Sequence, residues 1–247
     1  MTNIIDTVAA RLNEVRARID SSCAAAGRPA GSVALLAVSK TFGPEAVLAA
    51  AQAGQRAFGE NYLQEAVDKM AALQGMAPAL AGELVWHCIG PLQSNKTRLV
   101  AGHFAWAHTI DRLKIAQRLS DQRPPGMPPL NVCIQVNVDG GANKSGVAPG
   151  EALELACAAA RLPRLALRGV MAIPEPQQDF AAQLAVHQRV RAVFDAIAAS
   201  GAEGLERFDT LSLGMTGDLE AAVAAGSTLV RVGSGIFGVR AVHVGAT

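Results

Sequence analysis

The stretch LSLGMTGD at residues 211–218 combines a short apolar strand with a glycine- and hydroxyl-rich turn and an acidic residue at the start of a helix. A second stretch, RVGSGIFG at residues 231–238, follows the apolar segment LV and has the same kind of turn. Two adjacent parallel strands that end in this way can surround a phosphate group with backbone N–H groups and hydroxyls. We therefore expect a parallel sheet with an anion site at its carboxyl edge.

The alternation of apolar strand, turn and helix extends upstream through the whole chain. Strands are expected near 33–39, 56–59, 84–89, 104–109, 130–137, 166–173, 209–213 and 228–233. Helices are expected near 44–53, 61–73, 94–101, 111–121, 149–161, 178–200 and 218–225. Eight strands and intervening helices in about 250 residues favour an α/β fold, a single (β/α)8 TIM barrel domain over residues 1–247. A doubly wound open sheet is the alternative.

An additional helix is expected before the first strand. Its apolar stripe consists of Ile4, Ile5, Val8, Leu12, Val15 and Ile19, which recur at helical spacing. The segment ends near Gly27, where glycine and proline stop a helix. The barrel is thus predicted to carry an extra N-terminal helix.

Composition limits the classes of partner. The 247 residues carry 22 basic and 21 acidic side chains, and this balance gives no electrostatic basis for binding nucleic acid. No apolar run is long enough to cross a membrane, and the N-terminus lacks the pattern of a signal peptide. The four cysteines lack CxxC spacing and are interpreted as reduced, buried side chains. We expect a cytoplasmic protein that is a monomer.

A lysine at a strand end is the main candidate for chemistry. Lys40 follows the apolar strand VALLAVS, and the carboxyl ends of barrel strands are where catalytic groups lie. By itself the position also suits a solvated lysine. Thr216, Gly233 and Ser234 lie after strands seven and eight, where barrels commonly bind phosphate. A lysine with a phosphate site suggests a phosphorylated aldehyde held as a Schiff base.

Several other polar residues need an interpretation. Arg231 lies inside the apolar strand LVRV, so it either pairs with a carboxylate across the barrel or donates to a ligand, such as a pyridine ring nitrogen. His87 is interpreted as a buried core histidine. The five histidines lack metal-ligand spacing, and no metal is expected. The GxGxxG match at Gly233–Gly238 is too close to the end of the chain for a dinucleotide fold.

Seven stretches in order along the chain carry a family resemblance: LLAVSKTF (35–42), FGENYLQEA (58–66), WHCIGPLQSNK (86–96), QVNV with KSG (135–146), LRGVMAIP (167–174), LSLGMTGDLEAA (211–222) and GSTLVRVGSGIFGVR (226–240). Together they resemble the pyridoxal-phosphate homeostasis proteins, which are related to the barrel domain of alanine racemase. The resemblance implies a fold type III barrel that holds pyridoxal 5′-phosphate on Lys40.

The resemblance also implies the other binding residues. Arg231 would lie near the pyridine nitrogen and Asn61 beside the ring. The phosphate cup would come from Met215, Thr216, Gly233 and Ser234. The chain has Thr216 where the family often has serine, and Gly235 where it often has alanine. No residue is assigned a catalytic role, because such proteins are thought to bind, buffer and deliver the cofactor, with apo forms of pyridoxal-phosphate enzymes as possible recipients.

Two enzymatic alternatives remain at this stage. One is a pyridoxal-phosphate-dependent amino-acid racemase or lyase. A two-base racemase of this fold needs a tyrosine opposite the lysine, and the only tyrosine here is Tyr62, next to the end of the second strand. The other is an aldolase that forms a Schiff base without a cofactor, since it also uses a barrel, a lysine and a phosphate site.

Overall fold

The computed structural model describes residues 4–140 and 145–238, and its eight parallel strands close into a barrel in sequence order. The strands are β1 (Ala34–Val38), β2 (Ala57–Glu60), β3 (Val85–Cys88), β4 (Trp106–Ile110), β5 (Leu130–Gln135), β6 (Leu165–Met171), β7 (Thr210–Ser212) and β8 (Leu229–Val232). The ring closes between β1 and β8, where Leu36 is in register with Arg231. The predicted (β/α)8 barrel is confirmed, and the open-sheet alternative is wrong.

Helices follow the strands on the outside of the barrel. They are α1 (Ile4–Ala25), α2 (Pro44–Gln52), α3 (Leu63–Met76), α4 (Pro78–Ala81), α5 (Thr97–His103), α6 (Leu113–Gln122), α7 (Ala152–Ala160), α8 (Phe180–Ala198), α9 (Leu219–Ala224) and α10 (Ser234–Phe237), with a 3₁₀ turn at Pro149–Glu151 before α7. None of the helices in the described ranges is long and apolar enough to span a bilayer. The sequence pattern does not predict α4 and α10, because four residues are too few to show a helical period.

One helix begins later than its sequence pattern predicts. The segment expected to be helical from residue 94 first forms a turn, in which Lys96 donates its N–H to the Gln93 carbonyl at 2.9 Å. The Thr97 hydroxyl donates to the Ser94 carbonyl at 3.0 Å, so local hydrogen bonds replace helical ones before α5 begins at Thr97.

The predicted N-terminal helix is confirmed as α1, which packs against α2, α9 and α10. Val8, Leu12, Val15 and Ile19 of the predicted stripe are buried, each residue being at most 4 % exposed. Ile5, in the first turn of the helix, departs from the prediction, since it is 38 % exposed. Full burial of an aliphatic side chain is worth roughly 1.5–3 kcal/mol, so this stripe is sufficient to hold the helix on the barrel. The helix therefore braces the same elements that follow β7 and β8.

The inside of the barrel combines an apolar cluster with buried polar groups. Leu36, Val38, Ile89 and Leu229 form a cluster separate from the main core between strands and helices. The buried polar residues of the strands include His87, His108, Ser212 and Arg231. All four cysteines are free, and Cys23, Cys88 and Cys133 are buried as predicted, whereas Cys157 is only partly buried. Burial raises the pKa of Cys88 and Cys133 to about 12, so these two thiols are unreactive.

Candidate functional site

A cavity of about 340 Å³ opens at the carboxyl ends of the strands, a size typical of small-molecule sites. All seven residues selected from the sequence line it: Lys40, Asn61, Met215, Thr216, Arg231, Gly233 and Ser234. Val38, Ile89 and Ile173 supply apolar walls, and Gly217 completes the lining. The barrel thus brings together in one place residues that are far apart in the sequence.

Lys40 lies two residues beyond the end of β1 and its side chain is exposed. The preceding residue, Ser39, is fully buried, and its N–H donates to the Gly59 carbonyl of β2 at 3.1 Å. The following residue, Thr41, has φ of 68°, the only positive φ of a non-glycine residue in the described ranges. A β-branched residue rarely adopts this conformation, so surrounding contacts must hold it.

A buried ion pair lies beside Lys40 and was not predicted from the sequence. The Lys69 ammonium, on α3, donates to the Glu60 carboxylate at 2.6 Å and to the Ser39 carbonyl at 2.9 Å. The Ser39 hydroxyl donates to the same Glu60 oxygen at 2.7 Å. Burial raises the pKa of Glu60, although Lys69 and Ser39 act in the opposite direction. Lys69 occupies a helix position on the apolar face with Ala66 and Leu73, which is the signal that could have identified it.

The turns after β7 and β8 form a cup rich in hydrogen-bond donors. The Ser234 hydroxyl donates to the Thr216 hydroxyl at 3.2 Å, which shows that the two turns are in contact. The N–H groups of Thr216, Gly217, Ser234 and Gly235 have no hydrogen-bond partner within the part of the chain that the structure describes. Free N–H groups and hydroxyls brought together by two adjacent turns are an arrangement suited to a phosphate group.

An aspartate forms hydrogen bonds that hold the first turn of the cup in place. Asp218 accepts a hydrogen bond from the Met215 N–H at 2.6 Å and lies 3.0 Å from His187 Nε2. Burial acts to raise the pKa of Asp218, but the bonds from His187 and Met215 outweigh it and lower the pKa. The Met215 N–H is therefore already engaged, and Met215 borders the cavity with a side chain that is 38 % exposed.

The helix α1 supports the cup from the outside. The Arg18 guanidinium donates to the Thr216 carbonyl at 3.1 Å and forms an ion pair with Glu220 of α9 at 2.8 Å. Gly214, which begins the first turn, has φ of +87°, and a Cβ there would lie 2.5 Å from the Ala222 Cβ. Both contacts fix the path of the chain between β7 and α9.

Arg231 lines the cavity from inside the barrel and forms no ion pair with a carboxylate of residues 4–140 or 145–238. Its Nη1 donates to the carbonyl and the hydroxyl of Ser212 at 2.7 and 2.8 Å, and its Nη2 donates to the Ala172 carbonyl at 2.9 Å. Burial lowers the pKa of Arg231 to about 10, so the group stays charged at neutral pH. Three of its five N–H groups are used, which leaves donors for a ligand.

The hydrogen bonds continue from Arg231 across the barrel. The Ser212 hydroxyl lies 3.1 Å from His108 Nδ1, and His108 Nε2 lies 2.9 Å from His87 Nδ1. Burial lowers the pKa of His87 to about 3 and, with further contributions from His87 and Arg231, lowers that of His108 well below its ordinary value. Both rings are therefore neutral. His87 is a buried residue, as predicted, but it also belongs to the series of hydrogen bonds that starts at Arg231.

Asn61 lines the same cavity as the residues of the cup. Its Oδ1 is buried and has no hydrogen-bond partner in the described part of the chain. Gly90 permits this position, because a Cβ there would lie 2.5 Å from the Asn61 carbonyl oxygen. A buried amide oxygen without a partner is costly unless a ligand or water meets it. Within the described ranges, no group of three or more metal-ligating side chains is present.

Comparisons with known proteins agree with this architecture. The family "Alanine racemase, N-terminal domain" matches residues 11–241. Proteins called "Pyridoxal phosphate homeostasis protein" are similar at 54 % identity in Vibrio cholerae (93 % of this chain, 94 % of the relative) and at 50 % in Escherichia coli K12 (96 % and 98 %). The structure of PipY from Synechococcus elongatus with PLP bound has a TM-score of 0.79 at 32 % identity, covering 94 % of this chain and all of PipY.

A more distant relative shows the fold alone. Alanine racemase from Corynebacterium glutamicum matches with a TM-score of 0.64 at 17 % identity, covering 98 % of this chain and 63 % of the racemase. The near relatives, by contrast, match over almost their full lengths and at high identity. The chain belongs to the alanine racemase N-terminal domain family and, within it, to the pyridoxal phosphate homeostasis proteins.

Proposed function

We propose that this protein binds pyridoxal 5′-phosphate as a Schiff base on Lys40 and serves in cofactor homeostasis or delivery without turnover of a substrate. The observation that carries the proposal is the single cavity that Lys40, Arg231 and the cup share. The names of the close relatives and the PLP-bound PipY structure support the same ligand. We further propose that the protein acts in the cytoplasm as a monomer that supplies apo forms of pyridoxal-phosphate enzymes.

The residues of the cavity fit this cofactor group by group. The free N–H groups and the hydroxyls of Thr216 and Ser234 suit a phosphate. Arg231 has donors to spare for a ring nitrogen, and the unpartnered Asn61 amide suits a polar substituent of the ring. When bound, the cofactor supplies an aldehyde that condenses with an amine, and Lys40 is the amine that borders the cavity.

Arg231 favours storage over catalysis. An arginine with a pKa of about 10 donates a hydrogen bond at neutral pH but does not transfer its proton. A ring nitrogen that only accepts a hydrogen bond stays neutral, and a neutral ring is a weaker electron sink. The hydrogen-bond acceptors of Arg231 are two carbonyls and a hydroxyl, and no carboxylate in the described ranges forms an ion pair with its guanidinium.

The position of Tyr62 argues against a two-base racemase. Its side chain is 54 % exposed, and the residue is not part of the cavity lining. A second base must be within hydrogen-bond reach of the proton that it transfers. A racemase or lyase that uses Lys40 alone would instead show exchange of the α-proton of alanine and other amino acids in deuterated water.

The proposal is tested by locating the Schiff base. The purified protein is incubated with pyridoxal 5′-phosphate, reduced with borohydride and digested, and the modified peptide is identified by mass. We expect the label on Lys40 and its loss in Lys40→Ala, with Lys114→Ala, an exposed lysine of α6, as the matched control. A label on another lysine would contradict the assignment, and a protein with no visible absorption band would favour the cofactor-free aldolase.

A further inference from the structure

The backbone on both sides of Lys40 is held by side chains of a single helix, α3. On the N-terminal side, the Lys69 ammonium donates to the Ser39 carbonyl at 2.9 Å. On the C-terminal side, the Thr41 N–H donates to the Glu65 carboxylate at 2.8 Å. The same Glu65 oxygen lies 3.3 Å from the Lys69 ammonium, so the two anchors are joined.

These anchors lie where the backbone most needs support. Thr41 has φ of 68°, a conformation that a β-branched residue holds only when its surroundings impose it. Ser39 is fully buried and its hydroxyl is fixed by Glu60, whereas the Lys40 side chain between them is exposed. The backbone is therefore held in place on both sides of Lys40, while the Lys40 side chain itself is exposed.

We propose that Lys69 and Glu65 are positioning residues for Lys40, which set the location of its Cα relative to the phosphate cup. This inference rests on the proposed function, in which Lys40 forms the Schiff base. A lysine side chain has four rotatable bonds, so the reach of its amine depends on where the backbone holds the Cα. A fixed backbone raises the effective concentration of the amine at the cofactor aldehyde, and a displacement of about 1 Å can lower reactivity by about 10²-fold.

Two ligands allow phosphate binding and Schiff-base formation to be measured separately. Pyridoxine 5′-phosphate has the ring and the phosphate but no aldehyde, so its affinity reports the cup and Arg231 without Lys40. Pyridoxal 5′-phosphate reports the amine as well, through the rate and extent of growth of the visible absorption band. A variant that displaces only Lys40 changes the second measurement and leaves the first unchanged.

The main comparison uses Glu65, whose side chain is 38 % exposed and so tolerates substitution. We expect Glu65→Ala to lower the Schiff-base equilibrium constant by about tenfold or more, with the affinity for pyridoxine 5′-phosphate unchanged. Glu65→Gln keeps an acceptor oxygen for the Thr41 N–H and should stay close to wild type. Asp68→Ala, an exposed acidic residue on the same helix, is the matched control.

The second comparison removes the other anchor. Lys69→Met alone would leave Glu60 buried without its cation, so it is combined with Glu60→Gln to remove both charges. We expect the same selective loss of Schiff-base formation in this double variant. If the double variant does not fold, the Glu65 pair decides the question by itself.

The outcomes are distinct. If Glu65→Ala forms the Schiff base as readily as wild type, the positioning role is overturned. If its affinity for pyridoxine 5′-phosphate falls in parallel, Glu65 supports the whole site and the specific role is equally overturned. If the wild-type protein forms no Schiff base, the proposed function itself fails.

Discussion

The two neutral histidines inside the barrel make the stability of the protein depend on pH in a way that can be calculated. His87 has a folded-state pKa of about 3 because of its burial, and the pKa of His108 is likewise lowered well below its ordinary value. In the unfolded chain both titrate near 6.5. Between these limits the unfolded state binds more protons than the folded state, so the free energy of unfolding falls as the pH falls.

The change in the free energy of unfolding follows from the difference between the folded and unfolded pKa values. Each histidine that protonates only when the chain unfolds lowers the free energy of unfolding by about 2 kcal/mol between pH 7 and pH 5. For His87, whose folded-state pKa is about 3, this gives about 2 kcal/mol, a sizeable part of the stability of an ordinary domain, and His108 acts in the same direction. Aspartates with lowered pKa values, such as Asp218, also stabilise the folded state, but this stabilisation is lost only below pH 5.

The assay is urea denaturation of the apo protein followed by circular dichroism between pH 5 and pH 7.5. We expect His108→Gln to have a smaller pH dependence than wild type, because one of the two buried histidines is gone. His103→Gln is the control, since His103 is exposed on α5 and should not affect the slope. Equal slopes for wild type and His108→Gln would refute the assignment of the effect to the barrel interior.

Two further predictions concern the cup. The double variant Thr216→Ala with Ser234→Ala should lower the affinity for pyridoxine 5′-phosphate tenfold or more, since each hydrogen bond to a charged group contributes about 1.5–3 kcal/mol; unchanged retention of the ligand in dialysis would contradict the cup. Gly214→Ala should lower the melting temperature, because of its positive φ and the close Ala222 Cβ, whereas the same change at Gly102, in α5 with open space around it, should raise stability by about 0.5–1 kcal/mol. Thermal unfolding of the two glycine variants, compared with wild type, tests the expected decrease in melting temperature at Gly214 and the expected increase at Gly102.

Sequence patterns predicted the elements that depend on local chemistry. The alternation of strand and helix predicted the barrel, and its ends placed Lys40, Thr216 and Ser234 at one edge. These inferences succeed because the carboxyl ends of parallel strands always meet at one edge of the sheet.

The partners of those residues could not be predicted. His108 lies on β4 and Ser212 on β7, which are not neighbours in the barrel, and their contact depends on how side chains meet across its interior. Arg231 has two interpretations in sequence, and only its three oxygen acceptors exclude the carboxylate. The sequence does not predict the buried position of Lys69, because a lysine on a helix is usually solvated, whereas this one is 4 % exposed.

The closure of the ring between β1 and β8 has a consequence for the order of folding. Leu36 pairs with Arg231 in the last strand, and Arg18 of the first helix reaches Thr216 of the seventh unit. During synthesis the chain therefore exposes Lys40 long before the residues that would hold the phosphate exist. Contacts of such long sequence separation form late, because closing a long loop is entropically costly. A ligand that binds only the closed barrel stabilises it by mass action, so a cofactor in this cavity would raise the free energy of unfolding of the completed barrel.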